Sequence, residues 1–319
     1  MTFQLTELPL LSRSTVEREE GLRQDMARQA ELWRDGRVLV VDRHGRTPID
    51  SGGTALVYQE ATGDEPPPDA VLLGEEKGVG YWARPVESSA PVGGMDWRSW
   101  QDIGKADGEH WLDLRAAGSF LDATSAGLFT TAVALLSWHR RAKFCANCGS
   151  QIDRVKSGWA TQCPNCGREE YPRTDPAVIC LVHDRDGANG SQVLLARQPI
   201  WPKGRYSVLA GFVEAGESLE ACVAREIGEE VGVDVADIRY LGSQPWPFPR
   251  SLMLGFAASA DPLQPTRLSD GEIEEAHWVS RDVLREAFAA EADGQEFWLG
   301  LPGPTSIARL MLESWAETS

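Results

Sequence analysis

Three glutamates, Glu226, Glu229 and Glu230, fall within about one turn of a predicted helix and could act together chemically. At about 100° per residue they gather on one face, separate from the apolar stripe of that helix. Like charges at this spacing repel one another, so the face is unfavourable by itself. A divalent cation with oxygen ligands, Mg²⁺ or Mn²⁺, would resolve the conflict. The alternative is a solvated acidic face, which is the common interpretation of an isolated E-x-x-E-E.

Four of the six cysteines form two C-x-x-C pairs, each followed by glycine: Cys145, Cys148, Cys163 and Cys166. Two such turns can place four thiolates in a tetrahedron about 2.3 Å from zinc. With four protein ligands no position remains for a reacting water, so the expected role is structural. Disulfides, which a reducing compartment disfavours, and a rubredoxin-like iron site are the alternatives. Cys180 and Cys222 lie in apolar patterns and are predicted to be core residues.

A third segment, Ser243–Ser251, alternates proline with aromatic residues shortly after the acidic helix. Its prolines predict an extended, stiff backbone. Trp246 and Phe248 would then lose little entropy on binding a flat heterocycle, and stacking contributes about 1–3 kcal/mol per ring in nucleic-acid complexes. An edge strand whose aromatic residues merely pack in the core explains the same residues equally well.

Hydrophobic periodicity predicts the elements that must position these groups. The acidic helix is expected at 218–231, with Ser218 as its N-cap and Gly232 as its stop. A buried strand is predicted at 177–183, and further strands are predicted at 192–197, 239–241, 252–258 and 275–279. Two further helices are predicted at 281–290 and 306–317. A weakly patterned first domain is expected to contain strands at 38–41, 55–58, 71–73 and 79–83, and a helix at 122–141.

Composition narrows the class of protein. The 319 residues have room for two domains, and 31 Lys+Arg against 48 Asp+Glu give a net charge of −17. Non-specific adhesion to nucleic acid is therefore not expected, whereas a phosphorylated small molecule held through metal ions is compatible with this charge. The sequence has neither a stretch of roughly 18 apolar residues nor a signal-peptide pattern, so no membrane partner and a cytoplasmic location are expected.

The 23 residues from Gly211 to Val233 match G-x5-E-x7-R-E-U-x-E-E-x-G-U at every fixed position, and this region resembles the Nudix hydrolases. The following S-Q-P-W-P-F-P-x-S string and the preceding cysteine module resemble the NADH pyrophosphatases, or NudC family. Motifs support the resemblance over residues 110–319, and over 1–109 it is only architectural. It implies an α+β protein: a Nudix α/β/α sandwich with a mixed sheet, preceded by a four-cysteine zinc ribbon and a smaller mixed α/β N-terminal domain. The expected boundaries are 1–141, 142–172 and 173–319.

The resemblance also implies an activity. A member of this family would be an NAD(+)/NADH diphosphatase that cleaves NAD(H) to NMN(H) and AMP, and that cleaves the same bond in NAD caps at RNA 5′ ends. It would hold one structural Zn²⁺ per chain, use Mg²⁺ or Mn²⁺ in catalysis, and form a homodimer. The alternatives are a non-catalytic nucleotide sensor and a Nudix hydrolase of ADP-ribose or dinucleoside polyphosphates. A sensor need not keep every helix carboxylate, and this sequence keeps them all.

Catalytic and metal-binding roles can be transferred from the family residue by residue. Arg225 would orient a carboxylate, and Glu229 or Glu230 would be the base. The ligands of the catalytic metal would be Ala210 through its carbonyl, Glu226, Glu230 and Glu272. Glu275 is the alternative to Glu272. Zinc would bind the four cysteines of the two C-x-x-C pairs.

The resemblance implies a substrate pocket as well. Its residues would be Arg115, Tyr171, Phe212, Gln244, Pro245, Trp246, Pro247, Phe248, Pro249, Arg250, Ser251 and Ala308. Phe212 would stack on the nicotinamide side, and Trp246 would reach across the homodimer. Gly158 departs from the family pattern, because some members carry an acidic substrate contact at this position.

Overall fold

The computed structural model describes residues 2–87, 110–268 and 271–318. The chain divides into two compact units. The first unit comprises Leu10–Thr174 and Trp246–Arg250. The second comprises Met1–Pro9, Asp175–Pro245 and Ser251–Ser319. No helix among the described residues has the length and apolar character needed to cross a membrane.

The first unit is a mixed α/β body with a small three-stranded ribbon. Its elements in chain order are α1 (Met26–Arg34), β1 (Arg37–Val41), β2 (Arg46–Ile49), β3 (Gln59–Glu60), β4 (Val71–Glu76), β5 (Val79–Pro85), β6 (His110–Asp113), α2 (Leu114–Ala117), α3 (Ala123–Arg141), β7 (Asp153–Val155), β8 (Ala160–Gln162) and β9 (Glu169–Glu170). One sheet has the order β3-β1-β5-β4, β2 pairs with β6, and the ribbon has the order β7-β8-β9.

The core of the first unit forms where α3 packs on this sheet. Asp122 begins the helix as N-cap by accepting from the Ser125 backbone N–H. Leu128 and Phe129 of α3 are fully buried with Leu39 of β1. The strand predicted at 55–58 is wrong, because Leu56 forms only an isolated bridge to Ile49 and the strand β3 begins later. With a single bridge, the residues on either side of Leu56 lack the consecutive backbone hydrogen bonds that define a strand.

The end of α3 is joined to the ribbon by a buried histidine. His139 is 2 % exposed, and its Nε2 lies 2.7 Å from the Gly158 carbonyl oxygen. The Trp159 indole donates to the Leu72 carbonyl at 2.7 Å. Gly158 has φ +88°, and a Cβ at this position would lie 2.3 Å from Val71 Cγ1. Only glycine fits here without movement of the neighbours, so an acidic side chain at this position has no place in this chain.

The buried His139 predicts that stability falls in mild acid. Burial lowers its pKa to about 4 from an ordinary 6.5, against the opposing effect of the hydrogen bond to Gly158. Between these two pKa values the unfolded chain binds a proton at His139 and the folded chain does not. The free energy of unfolding therefore decreases as pH falls from about 6.5 towards about 4. When the pH is lowered from about 7 to about 5, we expect the free energy of unfolding to decrease by about 2 kcal/mol more in the wild type than in His139→Gln. Urea unfolding of both zinc-loaded proteins tests this; parallel pH profiles would contradict it.

The second unit is built on a six-stranded mixed sheet. Its elements are β10 (Asp175–His183), β11 (Gln192–Arg197), β12 (Leu209–Phe212), α4 (Leu219–Val231), β13 (Val235–Trp246), β14 (Ser251–Ala260), β15 (Glu275–Ser280), α5 (Arg281–Ala292) and α6 (Ile307–Glu317). The strand order is β13-β14-β10-β11-β15, with β12 paired to β10. The β10–β14 pair is parallel and β10–β11 is antiparallel.

Helices cover both faces of this sheet. Alternate residues of β10 point in opposite directions, as the pleat requires. Val178 packs in the cluster that contains Ile227 of α4, whereas Leu181 packs in the cluster that contains Leu284 of α5 and Met311 of α6. The predicted α+β architecture, with an α/β/α sandwich, a ribbon and a mixed N-terminal body, is confirmed.

Candidate active site

Helix α4 forms the centre of the site, and its ends follow from local sequence. Ser218 accepts from the Ala221 backbone N–H at 3.2 Å, as predicted for its N-cap. Gly232 ends the helix with φ 70°, a left-handed conformation that glycine adopts without strain. Val223 and Ile227 are buried against the sheet. The helix is therefore held in a defined rotation about its axis.

Glu226 lies directly against strand β12. A Cβ built on Gly211 would come within 1.9 Å of the Glu226 carboxyl carbon, so the missing side chain of Gly211 makes the room that this carboxylate occupies. Ala210, the neighbour of Gly211, pairs with Ile179 of β10 and so has a fixed backbone position. This contact places Glu226 beside the part of β12 that contains Ala210. Its basis in the sequence is the first glycine of the motif.

Arg225 connects the acidic side chains of the site. It donates to Glu217 at 2.8 and 2.9 Å, to Glu226 at 2.9 Å and to Glu229 at 3.0 Å. A further bond, of 3.0 Å, reaches the Phe212 carbonyl. The hydrogen bonds from Arg225 lower the pKa of Glu217 to about 2, and in turn raise the pKa of Arg225. This guanidinium therefore offsets charge repulsion among the acids. The resemblance predicted that Arg225 orients one carboxylate, and the structure adds that it bonds to three.

The three helix glutamates have different surroundings. The side chain of Glu229 is 59 % exposed, that of Glu226 is 15 % exposed, and Glu230 is buried at 2 %. The shared face stays a prediction, and the structure adds that Glu230 is covered by its surroundings while Glu229 reaches solvent. Burial raises the pKa of Glu226, with smaller contributions from the charges of Glu229 and Glu272, while Arg225 opposes the rise.

Glu272 approaches the site from the segment before β15. The charge of Glu272 contributes to the raised pKa of Glu226. The two carboxylates therefore interact electrostatically, although they are far apart in sequence. Glu275 instead accepts from the Tyr206 hydroxyl and lies 3.3 Å from His277 Nε2. Glu275 is therefore engaged by Tyr206 and His277, and the choice of Glu272 as the late metal ligand stays a prediction. His277 packs beside Tyr206 with ring centroids 5.6 Å apart.

Carboxylate and carbonyl oxygens are the donor set that Mg²⁺ and Mn²⁺ prefer. The residues predicted to hold the metal offer donors of this type, and their role as ligands stays a prediction: Glu226, Glu230, Glu272 and the Ala210 carbonyl. A carboxylate as buried as Glu230 is costly without a partner such as a cation. Among the residues that the structure describes, only the four cysteines bring three or more His, Cys, Asp or Glu ligand atoms within 4.8 Å of one another. The carboxylates of α4 and Glu272 do not form such a group.

The proline–aromatic segment belongs to the first unit from Trp246 to Arg250. Trp246 and Phe248 are partly buried against the core of that unit, with their ring centroids 5.0 Å apart. The Arg115 guanidinium lies 3.7 Å from the centroid of the Phe248 ring, so the structure brings two predicted substrate residues together. The extended backbone predicted for the whole segment is wrong. Residues after Trp246 form a turn in which the Phe248 N–H donates to the Trp246 carbonyl at 2.7 Å.

The other predicted substrate residues divide by exposure. Phe212 and Tyr171 are 57 % and 58 % exposed. Gln244 and Ala308 are buried in the second unit, where the Gln244 amide donates to the Thr305 carbonyl at 3.1 Å. Their roles toward substrate, and those of Pro245, Pro247, Pro249, Arg250 and Ser251, stay predictions.

The four ribbon cysteines form a ready zinc site. The sulfur atoms of Cys145 and Cys166 are 3.6 Å apart, and those of Cys148 and Cys163 are 3.5 Å apart. A tetrahedron of sulfurs about 2.3 Å from zinc has edges of about 3.8 Å, close to these separations. The glycine that follows each pair has φ +73°, so both knuckles turn in the same way. The cysteines are free thiols, which excludes the disulfide alternative here.

Electrostatics favour the thiolate at two of these cysteines. Hydrogen bonding to Ser150 lowers the pKa of Cys148 to about 5, and a backbone hydrogen bond to Arg168 lowers that of Cys166. At Cys163 a backbone hydrogen bond from Cys166 favours the thiolate, but burial and the neighbouring Cys148 and Cys166 thiols outweigh it and raise the pKa to about 11. The thiolate is the form that binds metal. The site is therefore a structural zinc centre with all four ligands supplied by the protein.

Three family models match the chain. They are an NADH pyrophosphatase-like rudimentary NUDIX domain over residues 29–138, an NADH pyrophosphatase zinc ribbon domain over 140–171 and a NUDIX domain over 173–298. The NAD-capped RNA hydrolase NudC of Mycobacterium bovis (strain BCG / Pasteur 1173P2) is 47 % identical over 318 residues, covering 98 % of this chain and 96 % of that protein.

More distant proteins are similar over part of the chain. The NAD-capped RNA hydrolase NudC of Pseudomonas aeruginosa (strain LESB58) is 39 % identical over 244 residues, or 75 % of this chain and 76 % of that protein. Among solved structures, a NUDIX hydrolase from Nitrosomonas europaea matches with a TM-score of 0.36 and 24 % identity, over 50 % of this chain and 98 % of its own.

Proposed function

Because this chain belongs to the NADH pyrophosphatase, or NudC, family of Nudix hydrolases, we propose that it hydrolyses the diphosphate bond of NAD(H) to NMN(H) and AMP. The observation that carries the proposal is the acidic constellation on α4. Arg225 bonds to Glu217, Glu226 and Glu229, and Gly211 makes room for Glu226. Glu230, four residues after Glu226 on α4, is buried. A solvated acidic face would not bury Glu230 or place Glu226 against β12.

The residues of the second unit have separable roles in the proposed reaction. Glu226, Glu230, Glu272 and the Ala210 carbonyl would hold Mg²⁺ or Mn²⁺. When bound, these ions neutralise the charge that develops on the phosphate oxygens and acidify the attacking water. The oxygen of that water bonds to one phosphorus while the bridging P–O bond breaks. Glu230 or Glu229 accepts the proton that the water loses in this step. Arg225 orients the carboxylates for this step.

Recognition of the dinucleotide is proposed for the aromatic and cationic groups of the predicted pocket. Phe212 presents a ring that is 57 % exposed, which suits stacking on nicotinamide. Arg115 is desolvated over Phe248, and burial lowers its pKa, although the guanidinium stays charged at neutral pH. A poorly hydrated cation of this kind binds an anionic group with little further desolvation cost.

NAD-capped RNA is the second proposed substrate, because it contains the same bond and because the similar proteins are named NAD-capped RNA hydrolases. A net charge of −17 gives little electrostatic help in holding the RNA body. A homodimer is proposed from the family resemblance, although Trp246 packs on its own chain. A cytoplasmic location is proposed because the four-thiolate zinc site needs reduced cysteines.

A product assay tests the proposed function. NADH, NAD⁺, NAD-capped RNA, ADP-ribose and ATP would each be incubated with the protein and either Mg²⁺ or Mn²⁺, and the products identified. We expect AMP and NMN(H) from NAD(H), and release of NMN from capped RNA with weak dependence on salt. AMP formed chiefly from ADP-ribose would overturn the substrate assignment and leave the Nudix chemistry intact. No hydrolysis of any substrate would favour a nucleotide sensor.

A further inference from the structure

A buried arginine lies close to the candidate active site and has no role in the mechanism described above. The side chain of Arg197, at the end of β11, is only 4 % exposed. A buried guanidinium is costly unless its charge and its donors are matched. Its partners are the Glu274 carboxylate, to which it donates, the Glu275 carboxylate at 3.8 Å and the Trp201 carbonyl at 2.8 Å.

Arg197 links two segments that are far apart in sequence. Its own carbonyl accepts from the Glu274 backbone N–H at 2.9 Å, which extends the β11–β15 ladder by one bond beyond the Arg197–Glu275 pair. Glu274 is therefore attached to Arg197 through both backbone and side chain. Glu272 lies two residues earlier, and Ile273 between them is buried at 6 % exposure. The position of Glu272 thus depends on a short segment anchored by Arg197.

The second segment is the loop that leads from β11 to β12. The Arg197 guanidinium holds this loop at the Trp201 carbonyl, and Ser207 returns to the sheet by bonding to Ala196 at 2.9 Å. The loop then enters β12, which carries Ala210. The Arg197 side chain therefore contacts both segments that lead to the proposed metal ligands outside α4, which are Glu272 and Ala210.

We infer that Arg197 is a positioning residue which, together with Glu274, fixes the segment carrying Glu272 and thereby sets the affinity of the active site for divalent cations. This inference rests on the proposed function. Groups that orient metal ligands typically change metal affinity or activity by about 10–100-fold when they are replaced. Neither Arg197 nor Glu274 needs to touch the cation or the substrate for this effect.

The test is Mn²⁺ binding to the zinc-loaded, full-length protein without substrate, measured from the paramagnetic resonance signal of free Mn²⁺. We expect Glu274→Gln and Arg197→Lys each to raise the Kd for Mn²⁺ by about tenfold. In an NADH assay, the Mn²⁺ concentration for half-maximal rate should rise by a similar factor, while kcat at saturating Mn²⁺ changes by less than about twofold. Glu286→Gln, an exposed change on α5, is the matched control and should leave both values unaltered.

The outcomes separate this inference from the proposed function. An unchanged Mn²⁺ Kd in Glu274→Gln, with only a lower Tm, would show a merely structural role and overturn the inference. The Glu274 side chain is 49 % exposed, so this variant decides the question even where Arg197→Lys does not fold. Glu226→Gln is measured in parallel. An unchanged Kd in Glu226→Gln would refute the proposed metal site itself, whereas weaker binding in Glu226→Gln alone would refute only the role of Arg197.

Discussion

Replacing Glu230 with glutamine is expected to lower kcat for NADH hydrolysis by about 10²–10⁴-fold, the usual contribution of a positioned acid or base. Glutamine keeps the shape of a side chain that is only 2 % exposed, so the fold should persist. It removes the negative charge proposed to hold a cation, and it replaces a basic carboxylate with an amide oxygen too weakly basic to accept a proton from water. Glu226→Gln should cause a loss of similar size, because its carboxylate lies against β12 beside Ala210.

Steady-state rates at saturating Mg²⁺ and Mn²⁺ measure this effect, and circular dichroism establishes that each variant is folded. Glu220→Gln is the matched control, since Glu220 is an exposed acid in the first turn of the same helix. It should retain the wild-type rate. Full activity in folded Glu226→Gln and Glu230→Gln proteins would mean that the carboxylates of α4 are not the catalytic group.

Loss of one zinc ligand is expected to have the largest effect on stability. Strands β7, β8 and β9 have three, three and two residues, too few to form a core of their own. In zinc-finger peptides, metal binding supplies about 10–16 kcal/mol that becomes folding free energy. Cys145→Ser should therefore release the zinc and unfold the ribbon, and the contact of Gly158 with His139 should be lost with it.

Metal analysis and thermal unfolding test this prediction together. The wild type should contain one zinc per chain, and Cys145→Ser should contain less and melt at a clearly lower temperature. Cys222→Ala removes a buried thiol outside the ribbon and should keep the full zinc content. A zinc-free Cys145→Ser protein with the wild-type Tm would show that the ribbon folds without its metal.

Features governed by neighbouring residues were predictable from sequence. Helix α4 begins and ends where Ser218 and Gly232 place its caps, because capping depends on hydrogen bonds within a few residues. The zinc site was predictable for the same reason, since each C-x-x-C-G turn presents its two sulfurs locally. The family resemblance added the fold, which the alternating burial of β10 supports.

Domain organisation was harder to predict because it depends on contacts across the whole chain. The first residues belong to the second unit, where the Phe3 backbone N–H donates to Asn189 at 2.7 Å and its carbonyl accepts from Arg239 at 2.7 Å. No periodicity in so short a segment indicates this. The predicted boundaries at 141 and 172 stay predictions.

The sequence by itself determined which residue types are available for catalysis and zinc binding, because motif spacing acts through the local geometry of one helix and two turns. The tertiary structure alone decided their environments: Glu230 is buried while Glu229 is exposed, Arg225 joins acids from two elements, and Arg115 lies over Phe248. These relations arise when segments distant in sequence pack together. Burial and charge pairing are properties of that packing, and spacing along the chain does not encode them.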